Sequence, residues 1–141
     1  MEYYQAIIVD DEYENRYSFD LAFQKMHWSD DVKILDSAER LLKYLQSLPS
    51  SCHYPLLIVL SYDIQKRSGG HVLATLRQHD DFKVIPVVVY TSTLSPLLND
   101  KLLSTGALAC YEKGADHEQT LQLAKKLKAL AATLAEVPKR Y

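Results

Sequence analysis

The sequence contains few of the residues that mark several common classes of protein. Its two cysteines, Cys52 and Cys110, are far apart and match no metal-ligand spacing, which favours free thiols and a cytoplasmic protein. The five histidines are scattered singly, so we expect no zinc site. No apolar run approaches the roughly 18 residues that a membrane span needs. The chain runs almost directly into the apolar residues 6–9, so we expect no signal peptide.

Clustered positive charge is also missing. The formal net charge is −2 and the isoelectric point is near 6.2, whereas a nucleic-acid-binding surface needs a clustered basic face. We therefore expect no nucleic-acid partner. A length of 141 residues suits one domain with a real core and leaves no room for a second. We expect a single domain over residues 1–141, without an output domain.

Strand-like patterns recur five times along the chain. The expected strands are 6–9, 32–35, 56–60, 87–90 and 107–111. Helical patterns separate them, which predicts an α/β fold of five βα units, a three-layer sandwich around a mainly parallel sheet. The first, third and fourth strands are continuous apolar runs, and such runs are typical of strands buried on both faces. These three strands are therefore expected at the centre of the sheet.

The helices have recognisable stripes and ends. The first helix is indicated by an i, i+3, i+4, i+7 stripe of Phe19, Ala22, Phe23 and Met26. Gly69-Gly70 is expected to end a polar loop before the third helix. Ser95-Pro96 predicts the N-cap and first residue of the fourth helix, which we expect Gly106 to end. Pro138 is expected to stop the last helix.

Polar side chains follow several of the predicted strands at their carboxyl ends, where parallel sheets bind ligands. The residues expected at this edge are Asp10, Asp11, Ser61, Asp63, Thr91, Ser92 and Lys113. Paired carboxylates can hold a hard cation such as Mg²⁺, and a hydroxyl and a lysine can receive phosphoryl oxygens. The pattern therefore indicates a phosphate-and-metal site.

In this order and strand context, these residues resemble the response-regulator receiver family of two-component phosphorelay signalling. The resemblance covers essentially the whole chain, through Val9-Asp10-Asp11-Glu12, residue 61 with Gly69 after it, Pro86 through Thr91-Ser92, and Gly106-Ala107 followed by Lys113. It implies a flavodoxin-like fold with strand order 2-1-3-4-5. It also implies that Asp10 and Asp11 bind metal, that Thr91 follows the phosphoryl group during switching, and that Lys113 pairs with that group.

Four positions depart from the family pattern. The phosphoacceptor aspartate falls on Ser61, and the proline four residues later falls on Gln65. The switch aromatic of strand five falls on Cys110, and the proline after the lysine falls on Gly114. These changes remove the nucleophile, alter two loops and remove the ring that reports phosphorylation. They predict a divergent pseudo-receiver.

Serine at position 61 changes the chemistry that the site supports. An aspartate is ionised at neutral pH and attacks without a general base, whereas a serine needs a base to take its proton. Asp10 and Asp11 are weak bases for this purpose. Because a third carboxylate is missing, we expect Mg²⁺ to bind only weakly, through Asp10, Asp11 and the main-chain carbonyl of Asp63. We expect no aspartyl phosphorylation at residue 61.

Several alternatives remain at this point. Asp63 could serve as a displaced phosphoacceptor with Mg²⁺, and Lys113 could form a structural ion pair with Asp10 or Asp11. Thr91 could simply cap its strand, and the Tyr90 ring could replace the missing switch aromatic. A hydrolase is disfavoured, because no G-x-S-x-G motif surrounds the serine and no histidine lies near it.

The sequence thus predicts a stand-alone, non-enzymatic signalling protein that acts by protein–protein contact. In the family, the face formed by helix four, strand five and helix five meets partners or a second copy. Here that face would include parts of 97–103, Tyr111 and the last helix. The resemblance implies a sensor kinase or downstream regulator as partner and also allows a homodimer.

Overall fold

A parallel five-stranded sheet lies between two layers of helices in the computed structural model, which describes residues 3–64 and 68–137. The strands are β1 Ala6–Val9, β2 Val32–Leu35, β3 Leu57–Ser61, β4 Val87–Thr91 and β5 Ala109–Glu112. The helices are α1 Tyr13–Lys25, α2 Ala38–Ser47, α3 Gly69–Gln78, α4 Pro96–Thr105 and α5 His117–Ala135. The strand order is β2-β1-β3-β4-β5, which confirms the expected flavodoxin-like fold. Short 3-10 turns at Ser29–Asp31 and Ser51–His53 precede β2 and β3.

The sheet separates two hydrophobic cores. Because successive side chains of a strand point to opposite faces, β1 sends Ala6 and Ile8 to one core and Ile7 and Val9 to the other. The first core lies against α1 and α5, and the second lies against α2, α3 and α4. Every residue of β1, β3 and β4 is buried, which confirms that the continuous apolar runs mark the central strands.

Several element boundaries differ from the sequence-based expectations, and those of α3 and β5 have a clear local cause. Gly69 and Gly70 begin α3 rather than end a loop, because the Ser68 side chain caps this helix by accepting from the His71 N–H at 3.2 Å. β5 begins at Ala109 rather than at Ala107. The Ala107 N–H still donates to the Leu102 carbonyl at 3.1 Å and so closes the last turn of α4.

Other helix ends match the predictions. The Ser95 side chain accepts from the Leu98 N–H at 3.1 Å, with Pro96 as the first residue of α4. Gly106 follows α4 with a φ of 120°, a conformation that favours glycine. The expected stop at Pro138 lies outside the described residues. Within the part of the chain that the structure describes, no helix combines the length and apolar character needed to cross a membrane.

Gly69 allows α3 to begin directly against the end of β3. A Cβ atom at Gly69 would lie 2.4 Å from the Ser61 carbonyl oxygen and 2.8 Å from the Tyr62 Cα, so backbone would have to move. A Cβ at Gly70 would meet nothing closer than a Leu102 methyl at 3.6 Å, which is ordinary contact. The two neighbouring glycines therefore provide a test and its control, because an added methyl group overlaps the backbone at Gly69 and fits at Gly70.

We predict that Gly69→Ala lowers the free energy of unfolding by roughly 1–3 kcal/mol, because relief of the overlap strains the backbone. Gly70→Ala should leave stability unchanged or raise it by up to about 1 kcal/mol, since alanine favours helix. Urea denaturation of both variants measures the difference. Equal stability of the two variants would contradict this account of the β3–α3 corner.

Candidate functional site

The carboxyl ends of β1, β3 and β4 bring several predicted site residues to one edge of the sheet. Asp10 directly follows β1, Ser61 ends β3 and Thr91 ends β4. Ser61 lies directly beside Tyr90 in the β3–β4 register. Asp10, Ser61 and Thr91 are all buried, as is Lys113 beyond β5. The edge is therefore a packed site and not a set of solvated turns.

Asp10 is the most fully hydrogen-bonded residue of this edge. Its Oδ1 accepts from the Glu12 N–H at 2.9 Å, and its Oδ2 accepts from the Asn15 Nδ2 at 3.0 Å. The Oδ2 also accepts from the Tyr90 hydroxyl at 2.5 Å. Arg16 donates to the Asp10 carbonyl oxygen at 3.0 Å, so α1 holds the main chain as well. These bonds connect the first turn of α1 to the end of β4 through one carboxylate.

Burial shapes the acidity of this carboxyl group. Loss of hydration raises the pKa of Asp10 above its usual value, because burial penalises the charged form. The hydrogen bonds from Tyr90, Glu12 and Asn15 oppose that rise by stabilising the carboxylate. Asp10 therefore holds its proton more tightly when the protein is folded.

Tyr90 is buried on the α1 and α5 side of the sheet and is only 2% exposed. Its ring meets the edge of the Phe19 ring, with the centroids 5.3 Å apart. Burial and the neighbouring Asp10 charge raise the pKa of the Tyr90 phenol well above 10, and the nearby Ser61 hydroxyl partly opposes the rise. At neutral pH Tyr90 is a fixed hydrogen-bond donor. It does not lie on the side of β4 that faces α4, where a replacement switch ring would be expected.

Ser61, Asp63 and Thr91 form a short chain of polar contacts. The Asp63 N–H donates to the Ser61 Oγ at 3.3 Å, and the Thr91 hydroxyl donates to the Asp63 Oδ2 at 3.4 Å. Asp63 is exposed, since it lies beyond the end of β3. Its carboxylate nevertheless reaches back to Thr91, so the chain does not carry it away from the crevice.

Lys113 is buried to 6% exposure, and its ammonium donates to the Gly114 carbonyl at 3.3 Å. The alternative of a structural ion pair with Asp10 or Asp11 stays a prediction. Gly114 has a φ of 77°, which explains a glycine at the position where the family has proline.

The other predicted positions lie at the margins of the site. Cys110 is half-buried and packs on the core beneath α2, α3 and α4, where burial raises the pKa of its thiol. Asp11 is half-buried in the turn after β1. Gln65, the position of the missing loop proline, lies outside the described residues.

The described donor set is a weak one for a divalent cation. Hard cations need free lone pairs on several anionic oxygens, yet Asp10 already accepts three hydrogen bonds. Position 61 contributes a neutral hydroxyl instead of a carboxylate. Across the described ranges, no group of three or more histidine, cysteine or acidic side chains could hold a metal ion.

The contacts of Asp10 with Tyr90, Asn15 and Arg16 were not predicted from the sequence. One signal was present in the strand itself: a tyrosine within a buried β-branched run must place its hydroxyl against a polar partner. That partner had to be one of the few polar groups at the strand ends. The identity of the partner depends on the β1-β3-β4 order, which individual residues do not reveal.

The family model described as a response regulator receiver domain matches residues 6–125. The chain belongs to this family. Receiver domains are the signalling modules of two-component response regulators. Among the curated proteins compared with the chain, none matches it.

Solved receiver structures share this fold over almost the whole chain. The phosphorylated cyanobacterial phytochrome response regulator RcpA is 20% identical, with 96% of this chain and 99% of that chain covered and a TM-score of 0.79. The Mn(2+)-bound form of response regulator Rcp1 is 19% identical, with coverages of 97% and 99% and a TM-score of 0.74. RPA3017, from red light signaling of R. palustris, is 18% identical, with coverages of 96% and 99% and a TM-score of 0.79. Identities this low show a shared fold alone.

The raised pKa of Asp10 predicts a pH dependence of stability. The folded state binds the proton more tightly than the unfolded chain, whose carboxyl has the ordinary pKa of 3.8. The stabilising contribution of Asp10 should be complete below that pH and be lost as the pH rises through the folded pKa. Asp10→Asn cannot titrate, so the free energy of unfolding of the native chain minus that of the variant should fall as the pH rises from 3.8 through the folded pKa. A difference that grows with pH would show a lowered pKa instead.

Proposed function

We propose that this receiver domain signals through contacts with other proteins and is not phosphorylated on residue 61. One observation carries the proposal: the acceptor position is a buried serine whose neighbours supply no base. The Ser61 Oγ accepts from the Asp63 N–H and lies beside a phenol that stays protonated. A serine without a base is a poor nucleophile. The proposal includes action in the cytoplasm, which the free thiols Cys52 and Cys110 support.

The other groups of the site support the same conclusion. Asp10 is a buried carboxylate at the same edge of the sheet, but its oxygens accept from Glu12, Asn15 and Tyr90, which makes them poor acceptors for the proton of Ser61. The Lys113 ammonium donates to the Gly114 carbonyl. Phosphoryl transfer depends on positioned cations that offset developing negative charge, and this arrangement supplies them poorly.

The exposed Asp63 carboxylate is the one acceptor that would keep aspartyl chemistry, since its Oδ2 accepts from Thr91. That contact is long, at 3.4 Å, and within the described ranges Asp63 belongs to no group of three or more metal-ligating side chains. The geometry therefore supports Asp63 less well than it supports a site without phosphorylation. Both outcomes can be separated in one experiment.

We predict that incubation with Mg²⁺ and acetyl phosphate leaves the intact mass unchanged. The physical reason is that the site lacks both an activated nucleophile and a third carboxylate. Intact-protein mass spectrometry before and after hydroxylamine measures any labile acyl phosphate. An adduct that hydroxylamine removes, and that Asp63→Asn abolishes, would overturn the proposal in favour of Asp63. A hydroxylamine-stable adduct lost in Ser61→Ala would overturn it in favour of serine esterification.

The proposed contact surface is the face formed by α4, β5 and α5. Leu97 on α4 is 81% exposed, and Leu103 and Leu108 are also exposed. Single exposed leucines are common, but leucine on α4 and on the segment leading to β5 gives this face apolar side chains that a partner can bury. Tyr111 on β5 is half-buried and packs against the core beneath α1 and α5. A sensor kinase, a downstream regulator or a second copy of the chain would meet this surface.

We expect a photo-crosslinking residue placed at Leu97 to capture a partner in cells of the source organism, because this side chain is the most exposed leucine of the face. The matched control is the same residue at Val84, which is exposed between α3 and β4. Adducts are identified by mass spectrometry. A two-component protein captured at Leu97 but not at Val84 would agree with the proposal, and a dimer of the chain would assign the face to self-association. Equal capture at both positions would contradict it.

A further inference from the structure

The Tyr90 side chain crosses over the end of β3. Asp10 follows β1 and Tyr90 lies on β4, with β3 between these strands in the sheet. Neighbouring strands are about 4.8 Å apart, so a phenol that donates to Asp10 must pass over the residue beside it in register. That residue is Ser61. Its small side chain leaves the space through which the tyrosine reaches Asp10.

The same hydroxyl occupies the second lone-pair site of the Asp10 Oδ2. A carboxylate has about four lone-pair sites, and three donors point at the Asp10 oxygens, two of them at Oδ2. A cation placed on Oδ2 would have to displace the Tyr90 proton or lie beside it.

The tyrosine is also held in place. Its ring packs edge-on against Phe19, which stacks on Phe23, and Phe23 packs against Trp28. β4 pairs with a strand on each side, so its backbone is fixed as well. Removal of the hydroxyl from Asp10 would require a buried aromatic ring to leave a packed core, which is costly.

We propose that Tyr90 is a second block on metal binding, separate from the loss of the aspartate at position 61, because its hydroxyl occupies the Asp10 oxygen that a divalent cation would need. This inference deepens the proposed function, since it concerns the same unphosphorylated site. It assigns Tyr90 a role that determines what the crevice can bind.

A direct consequence concerns an aspartate restored at position 61. Its carboxylate would lie under the Tyr90 phenol, which would gain a second acceptor beside Asp10. The hydroxyl would then bridge two carboxylates that a cation would otherwise join. Ser61→Asp alone is therefore insufficient to rebuild the metal site.

Mn²⁺ binding to four forms of the full chain tests this inference: native, Tyr90→Phe, Ser61→Asp, and the double variant. The probe is Mn²⁺ alone, measured from the electron paramagnetic resonance signal of the free ion. Phenylalanine keeps the ring against Phe19 and removes only the hydroxyl. The double variant should bind Mn²⁺ at least about 10-fold more tightly than Ser61→Asp, as expected when a charge-assisted hydrogen bond no longer competes with the metal.

A matched control separates the hydroxyl from the packing around it. Phe19→Leu combined with Ser61→Asp loosens the ring contact but keeps the Tyr90 hydroxyl, so this pair should bind Mn²⁺ no more tightly than Ser61→Asp. Each variant is first checked for cooperative thermal unfolding. If Tyr90→Phe does not fold, Tyr90→Leu removes the same hydroxyl with a smaller side chain.

Two results would overturn the inference. One is that Ser61→Asp binds Mn²⁺ as tightly as the double variant, and the other is that the double variant binds no better than the native chain. Either result would show that Tyr90 is not the block. These outcomes are distinct from failure of the proposed function, which is read from a phosphoryl adduct on the native chain.

Discussion

The hydrogen bond between Tyr90 and Asp10 is the interaction on which the arrangement of this site depends. It spans the end of β3 and connects β4 to the turn that begins α1, so three of the five strands meet around one buried carboxylate. A buried carboxylate must be paired or hydrogen-bonded to be tolerated. In this chain the hydrogen bonds come from a phenol, a main-chain N–H and the Asn15 amide, and the Lys113 ammonium donates to the Gly114 carbonyl. The Asp10 carboxylate is thus hydrogen-bonded by groups of the protein itself.

Because Asp10 finds its hydrogen-bond partners within the protein, the receiver fold stays well packed although position 61 differs from the family pattern. The two cores on either face of the sheet depend on alternating apolar side chains, and neither depends on what occupies position 61. The fold therefore persists as a stable scaffold, while the chemistry at its edge is free to change. Exposed leucines lie on α4 and on the segment before β5, which agrees with the proposed role in protein contact.

The sequence predicted the fold almost completely, because strand and helix patterns depend on local periodicity. The three apolar runs placed β1, β3 and β4 at the centre, and Ser95-Pro96 located the start of α4. The start of α3 was misplaced, since a glycine pair looks like a loop until the Ser68 cap is seen. At the site, Asp10, Ser61 and Thr91 follow their strands as their motifs indicated. The partners of Asp10 were not predictable, because they depend on which strand lies beside which.

The crossing of Tyr90 over Ser61 couples two positions at this edge of the sheet. Ser61 lies beside Tyr90 in register, and its small side chain leaves the space through which the tyrosine hydroxyl reaches Asp10. On the proposed role of Tyr90, an acid at position 61 gains no metal site while that hydroxyl remains. The two positions therefore act as one unit, and a redesign of the chemistry at this edge has to change both residues together.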